Sequence, residues 1–488
     1  MLKNRSMKSR RLVNNYIYNT AYQILSIAVQ LVTTPYIARV LGAAGIGIYQ
    51  MTLANVTYFV LLSGLGTTLY GQREIAYAQD DPEKRTRVFQ EIVALRMLST
   101  FVWLGTYLLI FCTKGEYAQV YRILILEALA AAFDISWFFM GMENFRIIVL
   151  RNTVIKLLGV MLVFLLVHSP EDVLIYTWCM TLPTFLGHLS LWPGIKKYLV
   201  RIRRTPADLL QGILPHLKPN LMLFLPQVAV EVYTVLDKTM LGALSSGVDQ
   251  VGYYSQAQKV IRIILVIITS LGTVMLPAVS AAFSRGEKEE IQRSILTAFR
   301  FVFMLGFAML FGICGIADRF VPVFFGAGYD QVVSLIWAIS PIMVIIGISN
   351  VIGKQYLLPT KQQNLFTVSI VTGACVNVVM NFLLIPRLDA VGASAATVIA
   401  ELSVTCVQIM TVRKQLPLTA CILPFFRYLA MGLVMLAAVR LAGRAAGYGA
   451  GAVVLMILAG GVVYLLELVV TRDEMLYRLK SFTKRKKN

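Results

Sequence analysis

The sequence predicts an all-α integral membrane protein of about 14 transmembrane helices: two six-helix lobes with a pseudo-twofold repeat, plus a C-terminal helix pair. Three observations carry this. Of 488 residues, 58% are hydrophobic and only 14% charged, with a mean hydropathy of +0.71; a soluble chain of this length carries about 25% charged residues and divides into two or three domains. The apolar residues gather into runs of about 20, the length that crosses a hydrocarbon core about 30 Å thick. Lys and Arg outnumber Asp and Glu 45 to 25, a net charge of +20, and they fall in short segments between those runs, a pattern of membrane topology rather than of nucleic-acid binding.

The runs, bounded by charge or by Gly and Pro, are expected at 13–37, 43–65, 91–112, 119–140, 147–167, 171–193, 217–243, 248–276, 295–317, 330–352, 365–385, 391–412, 424–443 and 448–470. The first contains polar residues and lacks a small-residue cleavage site, so it reads as a helix and not as a secretory signal. If odd helices run outward, 35 Lys and Arg lie on the inner side and seven on the outer, while Lys238, Lys259 and Arg262 fall within helices seven and eight. Both termini are then cytoplasmic, and the basic tail from Arg478 to Lys487 reads as a topology anchor at the inner leaflet, the alternative being a patch that binds anionic lipid or a partner.

Internal similarity recurs at an interval of about 200 residues. Arg39-Val-Leu-Gly42 with Gly47-Ile-Tyr49-Gln50 resembles Lys238-Thr-Met-Leu-Gly242 with Gly252-Tyr-Tyr254-Ser-Gln256, and the charged loop from Arg73 to Arg96 corresponds to the segment from Ser284 to Arg300. The expected divisions are an N-lobe at 1–212, a C-lobe at 213–415, and a helix pair with its basic tail at 416–488. The linker from Gly194 to Pro219, with six basic residues and a helix start at Pro206, marks the boundary between the lobes.

Several functions are excluded. Cys112, Cys179, Cys314, Cys375, Cys406 and Cys421 lie in or beside apolar runs with no C-x-x-C spacing, so they read as buried thiols and not as disulfides or ligands. His168, His188 and His216 lack the spacing of metal ligands, and neither a metal nor another cofactor is expected. The outer loops are too short for a catalytic domain and hold no Asp-x-Asp pair, so an enzyme is not expected.

Polar residues at membrane depth are the candidate site. Asn15, Asn19, Gln23, Ser26, Gln30 and Thr33 share one face of helix one. Such a stripe faces either another helix, through interhelical hydrogen bonds, or a wet cavity. Helix seven carries Glu231, Thr234 and Lys238 on one face with Asp237 adjacent, and helix eight carries Ser255, Gln258, Lys259 and Arg262. Three cations against two acids leave positive charge for an anionic ligand; the alternative is a closed network in which Glu231 and Asp237 neutralise two of them. Asp134 and Glu143, flanking a segment with Trp137 and followed by Arg146, Arg151 and Lys156, read instead as structural pairing at the inner interface, with Trp137 as its anchor.

These residues resemble the polysaccharide flippases, the O-antigen and capsule precursor transporters of the multidrug/oligosaccharidyl-lipid/polysaccharide superfamily. Four stretches carry the resemblance: Pro35 to Gly42 with Gly47-Ile-Tyr49; Asp134-Ile-Ser-Trp-Phe-Phe-Met-Gly-Met-Glu143 with Arg151-Asn152 and Lys156; Asp237-Lys238 through Gly242 with Gly252-Tyr-Tyr; and Asn377 to Asn381 with Leu384-Ile-Pro386 and Gly392 to Thr397. It implies two six-helix lobes around a cavity lined by helices one, two, seven and eight, and alternating-access transport of an undecaprenyl-diphosphate-linked oligosaccharide across the bacterial cytoplasmic membrane. The implied cavity residues are Arg39, Lys238, Lys259 and Arg262 toward the diphosphate and Asn19, Gln23 and Gln30 toward sugar hydroxyls, with Glu231 and Asp237 as coupling or charge-pair residues. The expected partners are this lipid-linked glycan, membrane lipid, and the glycosyltransferases and polymerase of the same pathway; a monomer without nucleic acid is expected. Na⁺, H⁺ and the membrane potential are the alternative driving forces. A peptidoglycan-precursor flippase and a multidrug or organic-cation antiporter of the same superfamily are the alternative functions, the latter disfavoured because cationic cargo needs an anionic cavity.

Overall fold

The computed structural model describes residues 2–475; within that range the side chains of residues 2–17, 19, 20, 225, 226, 229, 230, 232–234, 271, 273, 274, 277 and 278 are not described. Among the described residues there is no β-strand. Nine segments there are long and apolar enough to cross a membrane. Two of them hold more than one helix end to end: Ala21–Tyr77 holds three, the first of them from Ala21 on, and Gln363–Val412 holds two. The chain forms two compact units that divide between Thr239 and Met240.

In the first unit, α1 (residues 2–41) and α2 (residues 43–64) meet at Gly42, whose φ of 67° and ψ of 179° suit glycine alone. A short helix Thr67–Tyr77 follows. Helix α3 (Pro82–Tyr107) starts where Asp81 accepts hydrogen bonds from the Glu83 and Lys84 amides, with Pro82 in the first turn. Then come α4 (Ala118–Phe133), a short helix Ser136–Gly141, α5 (Phe145–Leu166) and α6 (Val173–Leu189). Helix α7 (Pro206–Leu244) starts 11 residues before the apolar run that predicts it. The cause is local: Thr205 and Asp208 cap each other reciprocally, at 2.9 and 3.2 Å, around Pro206.

Trp137 corrects the sequence reading. It is fully buried among Tyr70, Ile75, Phe89, Phe138 and Phe139 and does not anchor the lobe at an interface. Gly71 makes this possible, because a Cβ there would lie 2.5 Å from the indole. The indole N–H is satisfied by the Asp134 carbonyl at 3.0 Å, which removes the cost of burying it.

The second unit holds α8 (Asp249–Thr269), a further helix Leu271–Ser284, α9 (Lys288–Phe324) and α10 (Asp330–Leu357), which bends at Ser340 and Pro341. Helices α11 (residues 363–388) and α12 (residues 390–412) join at Asp389, φ 50° and ψ −130°. That strained backbone is held by its own carboxylate, which accepts from the Ser246 amide at 2.7 Å and the Ser246 hydroxyl at 2.9 Å. Helices α13 (Leu418–Ala445) and α14 (Ala450–Val470) complete the unit and pack on α9. All six cysteines are free; Cys375 and Cys406 are exposed, not buried as expected, because they occupy outward faces of α11 and α12.

Candidate functional site

The first unit buries charge. Asp134, just beyond α4, accepts a hydrogen bond from the Ser136 amide at 2.9 Å and lies 3.1 Å from Nδ1 of His188. The Arg96 guanidinium from α3 reaches it at 3.8 Å and that of Arg151 from α5 at 4.0 Å. Arg151 also donates to the side-chain oxygen Oδ1 of Asn152 at 3.0 and 2.5 Å, which fixes the plane of its fork. Arg96 is only 5% exposed, and its Nε and Nη1 have no hydrogen-bond partner among the described residues. One carboxylate therefore faces two guanidiniums and an imidazole. Lys156, also on α5, sits 5.8 Å from the ring of Tyr22 on α1.

A second buried group fixes the start of α7. Glu91 pairs with Arg204 at 2.8 Å and with Nε2 of His216 at 2.8 Å, while Nδ1 of His216 meets the Tyr70 hydroxyl at 2.7 Å. Gly212 leaves room for this arrangement, since a Cβ there would lie 2.3 Å from the Glu91 carboxylate. Neither group was legible as a site in the sequence, because each draws on helices far apart in the chain and no local motif joins Arg96 to His188 or Glu91 to His216.

The candidate residues of the sequence divide between the units. In the first, Gln23, Gln30 and Arg39 are exposed, Glu231 is half-buried and Asp237 is buried. Lys238 donates to the side-chain oxygen of Gln50 at 2.8 Å, which joins the two ends of the repeated motif of α2 and α7. The side chains of Asn15, Asn19 and Thr234 lie outside the described residues. In the second unit, α8 turns Ser255 and Gln258 into the interior, Gln258 donating to the Tyr254 hydroxyl at 3.3 Å, while Arg262 is exposed. Lys259 lies between, half-buried, and no described residue forms a hydrogen bond or ion pair with it.

The second unit also contains an apolar cleft of about 390 Å³ between α8, α9, α13 and α14, lined by Ile264, Met309, Met435, Met456, Gly460 and Tyr464 among others. The Tyr464 hydroxyl is spent on the Met304 carbonyl at 2.7 Å, and the lining of the cleft is almost entirely apolar. The sequence signal for it is the pair Gly460-Gly461 facing a methionine-rich stretch of α13, which leaves depth between the helices.

This order of helices defines the class: a multi-pass helical membrane protein. Among solved structures, an inward closed conformation of the lipid II flippase MurJ matches with a TM-score of 0.76 at 15% identity, covering 94% of this chain and 100% of that one. An inward-facing multidrug resistance MATE family transporter of the MOP superfamily matches with a TM-score of 0.58 at 14% identity, covering 81% and 98%. At these identities the likeness concerns the fold. Residues 12–283, more than half of the sequence, match the model of the polysaccharide biosynthesis protein family, and the chain belongs to that family. A relative from Escherichia coli (strain K12), named as an O-antigen transporter, is 23% identical over 421 residues, covering 82% of this chain and 96% of its own. A second of that name, from Shigella dysenteriae, is 21% identical over 387 residues, covering 78% and 95%.

Proposed function

We propose that this protein is a flippase, not an enzyme. It translocates an undecaprenyl-diphosphate-linked oligosaccharide across the bacterial cytoplasmic membrane by alternating access, for cell-surface polysaccharide biosynthesis, with both termini cytoplasmic. The observation that carries the reading, in a chain of this family, is Lys259: an ammonium half-buried on α8 with no partner among the described residues. Such a cation costs several kcal/mol at membrane depth unless a counter-charge meets it. A lipid diphosphate supplies about two negative charges and strong acceptors. Arg39, Lys238 and Arg262 are its further candidate partners, Gln23 and Gln30 offer amides to sugar hydroxyls, and Glu231 and Asp237 adjust the charge balance through the cycle. The apolar cleft of the second unit suits an isoprenoid chain, which needs a surface without polar groups.

The test is surface glycan in a strain lacking its own flippase, normalised to transporter abundance. Lys259→Arg is expected to retain export and Lys259→Gln to lower it. Lys259→Glu should lower export further, by about tenfold relative to Gln, because it adds repulsion to lost attraction. Glu231→Gln is expected to restore part of the loss. Equal export by the Gln and Glu variants would remove residue 259 from the diphosphate path. Rescue of a strain depleted of its lipid II flippase, without rescue of O-antigen export, would reassign the cargo to the peptidoglycan precursor.

A further inference from the structure

Where α9, α13 and the turn after α14 converge, the second unit forms a hollow of about 480 Å³ lined by Arg300, Leu423, Pro424, Arg427, Tyr428, Arg472, Asp473 and Glu474. Three guanidiniums face two carboxylates there. Asp473 is fully committed: it pairs with Arg427 at 3.0 Å, accepts from the Tyr428 hydroxyl at 2.8 Å, and caps the Met475 amide at 2.9 Å. Arg300 pairs with the exposed Glu474. Arg472 is left over. It is exposed, has no hydrogen-bond or ion-pair partner among the described residues, and holds a left-handed backbone at φ 47° that a side chain rarely adopts.

The position of the hollow says what meets it. Arg300 lies 18 residues before Asp318 on the same helix, a rise of about 27 Å at 1.5 Å per residue and close to the thickness of a hydrocarbon core. At the Asp318 end a second hollow is lined by Arg319, Arg440 and Arg444. The arginines of α9 and α13 thus collect at the two ends of the span, at the depth of lipid headgroups. Beside the first hollow, Leu423, Phe426, Val469 and Val470 are strongly exposed, the surface that acyl chains would cover.

We infer that the hollow at Arg300, Arg427 and Arg472 binds the phosphate ester of an anionic glycerophospholipid, with Arg472 as the free guanidinium that takes the phosphate oxygens and the exposed apolar residues as the bed for the acyl chains. Inorganic phosphate shares the headgroup chemistry but brings no acyl chains.

The test is native mass spectrometry of the full chain in detergent, titrated with phosphatidylglycerol or with phosphatidylcholine of the same acyl chains. The wild type is expected to hold one phosphatidylglycerol at least about fivefold more tightly than phosphatidylcholine. Arg472→Gln should abolish that preference, while Arg472→Lys retains part of it. Because Arg472 has no hydrogen-bond or ion-pair partner among the described residues, the fold should tolerate its loss, and an unchanged melting temperature in detergent verifies this. Equal binding of the two lipids by the wild type would overturn the inference, as would an unchanged preference in Arg472→Gln. Displacement of phosphatidylglycerol by millimolar inorganic phosphate would overturn the lipid as the ligand.

Discussion

The two units treat charge in opposite ways. Among the described residues of the first unit, the ion pairs other than the surface pair of Arg73 with Glu74 lie inside the packing: Asp134 with Arg96, Arg151 and His188, and Glu91 with Arg204 and His216, bind four helices and the start of α7 together. In residues 240–488 the pairs sit at helix ends, Arg427 with Asp473 at one extremity and Arg440 with Asp318 at the other, and the middle is closed by Phe299, Phe303, Phe307 and Phe425. A buried charge costs desolvation and returns it only in one geometry, whereas aromatic packing tolerates small rearrangements. The first unit is therefore the one whose arrangement is fixed by a few irreplaceable atoms.

That contrast can be broken most directly at Asp134. Asp134→Asn keeps the shape but leaves Arg96 and Arg151 without a counter-charge, and a loss of roughly 3–5 kcal/mol is expected, seen as a large fall in folded protein on fluorescence-detected size exclusion. Normal folded yield with lost export would instead put the cluster on the transport path. The matching perturbation of the second unit is steric. Gly392→Ala places a methyl 2.4 Å from the Leu384 carbonyl oxygen, a backbone atom that cannot swing away, and about 1–3 kcal/mol is expected, read as a lower melting temperature; an unchanged value would show that the Asp389 joint is pliable. The smallest effect belongs to Arg440→Ala. Its pair with Asp318 is substantially exposed on both sides, so at most about 1 kcal/mol is expected, and a loss comparable to that of Asp134→Asn would erase the distinction between the units.

The helices were legible because a membrane span must be apolar along its length, and runs of about 20 residues announce it. Their true ends were less so. Lys288–Phe324 extends well beyond the expected 295–317, and Pro206–Leu244 beyond 217–243, because hydropathy marks the hydrocarbon while capping and polar packing decide where a helix stops. The expected spans 13–37 and 43–65 leave five residues between helices, and the structure narrows that gap to a single-residue joint at Gly42. Lys259 stood out because an ammonium inside an apolar run is expensive wherever it points. The Asp134 cluster was read as pairing with residues nearby in the chain, and Arg151 does reach it. Arg96 and His188 could not be foreseen, since which faces of α3 and α6 turn inward is decided by packing that one sequence does not display.

The joint at Gly42 has a mechanical consequence. Nothing lies within 4 Å of the position where its Cβ would be, so it is the dihedral and not crowding that demands glycine. A connection one residue long has no slack. An axial slide of α1 by a single helical turn, about 5.4 Å, cannot be absorbed there and must drag α2 with it. The two helices are coupled like links on one pin, unable to shear past each other.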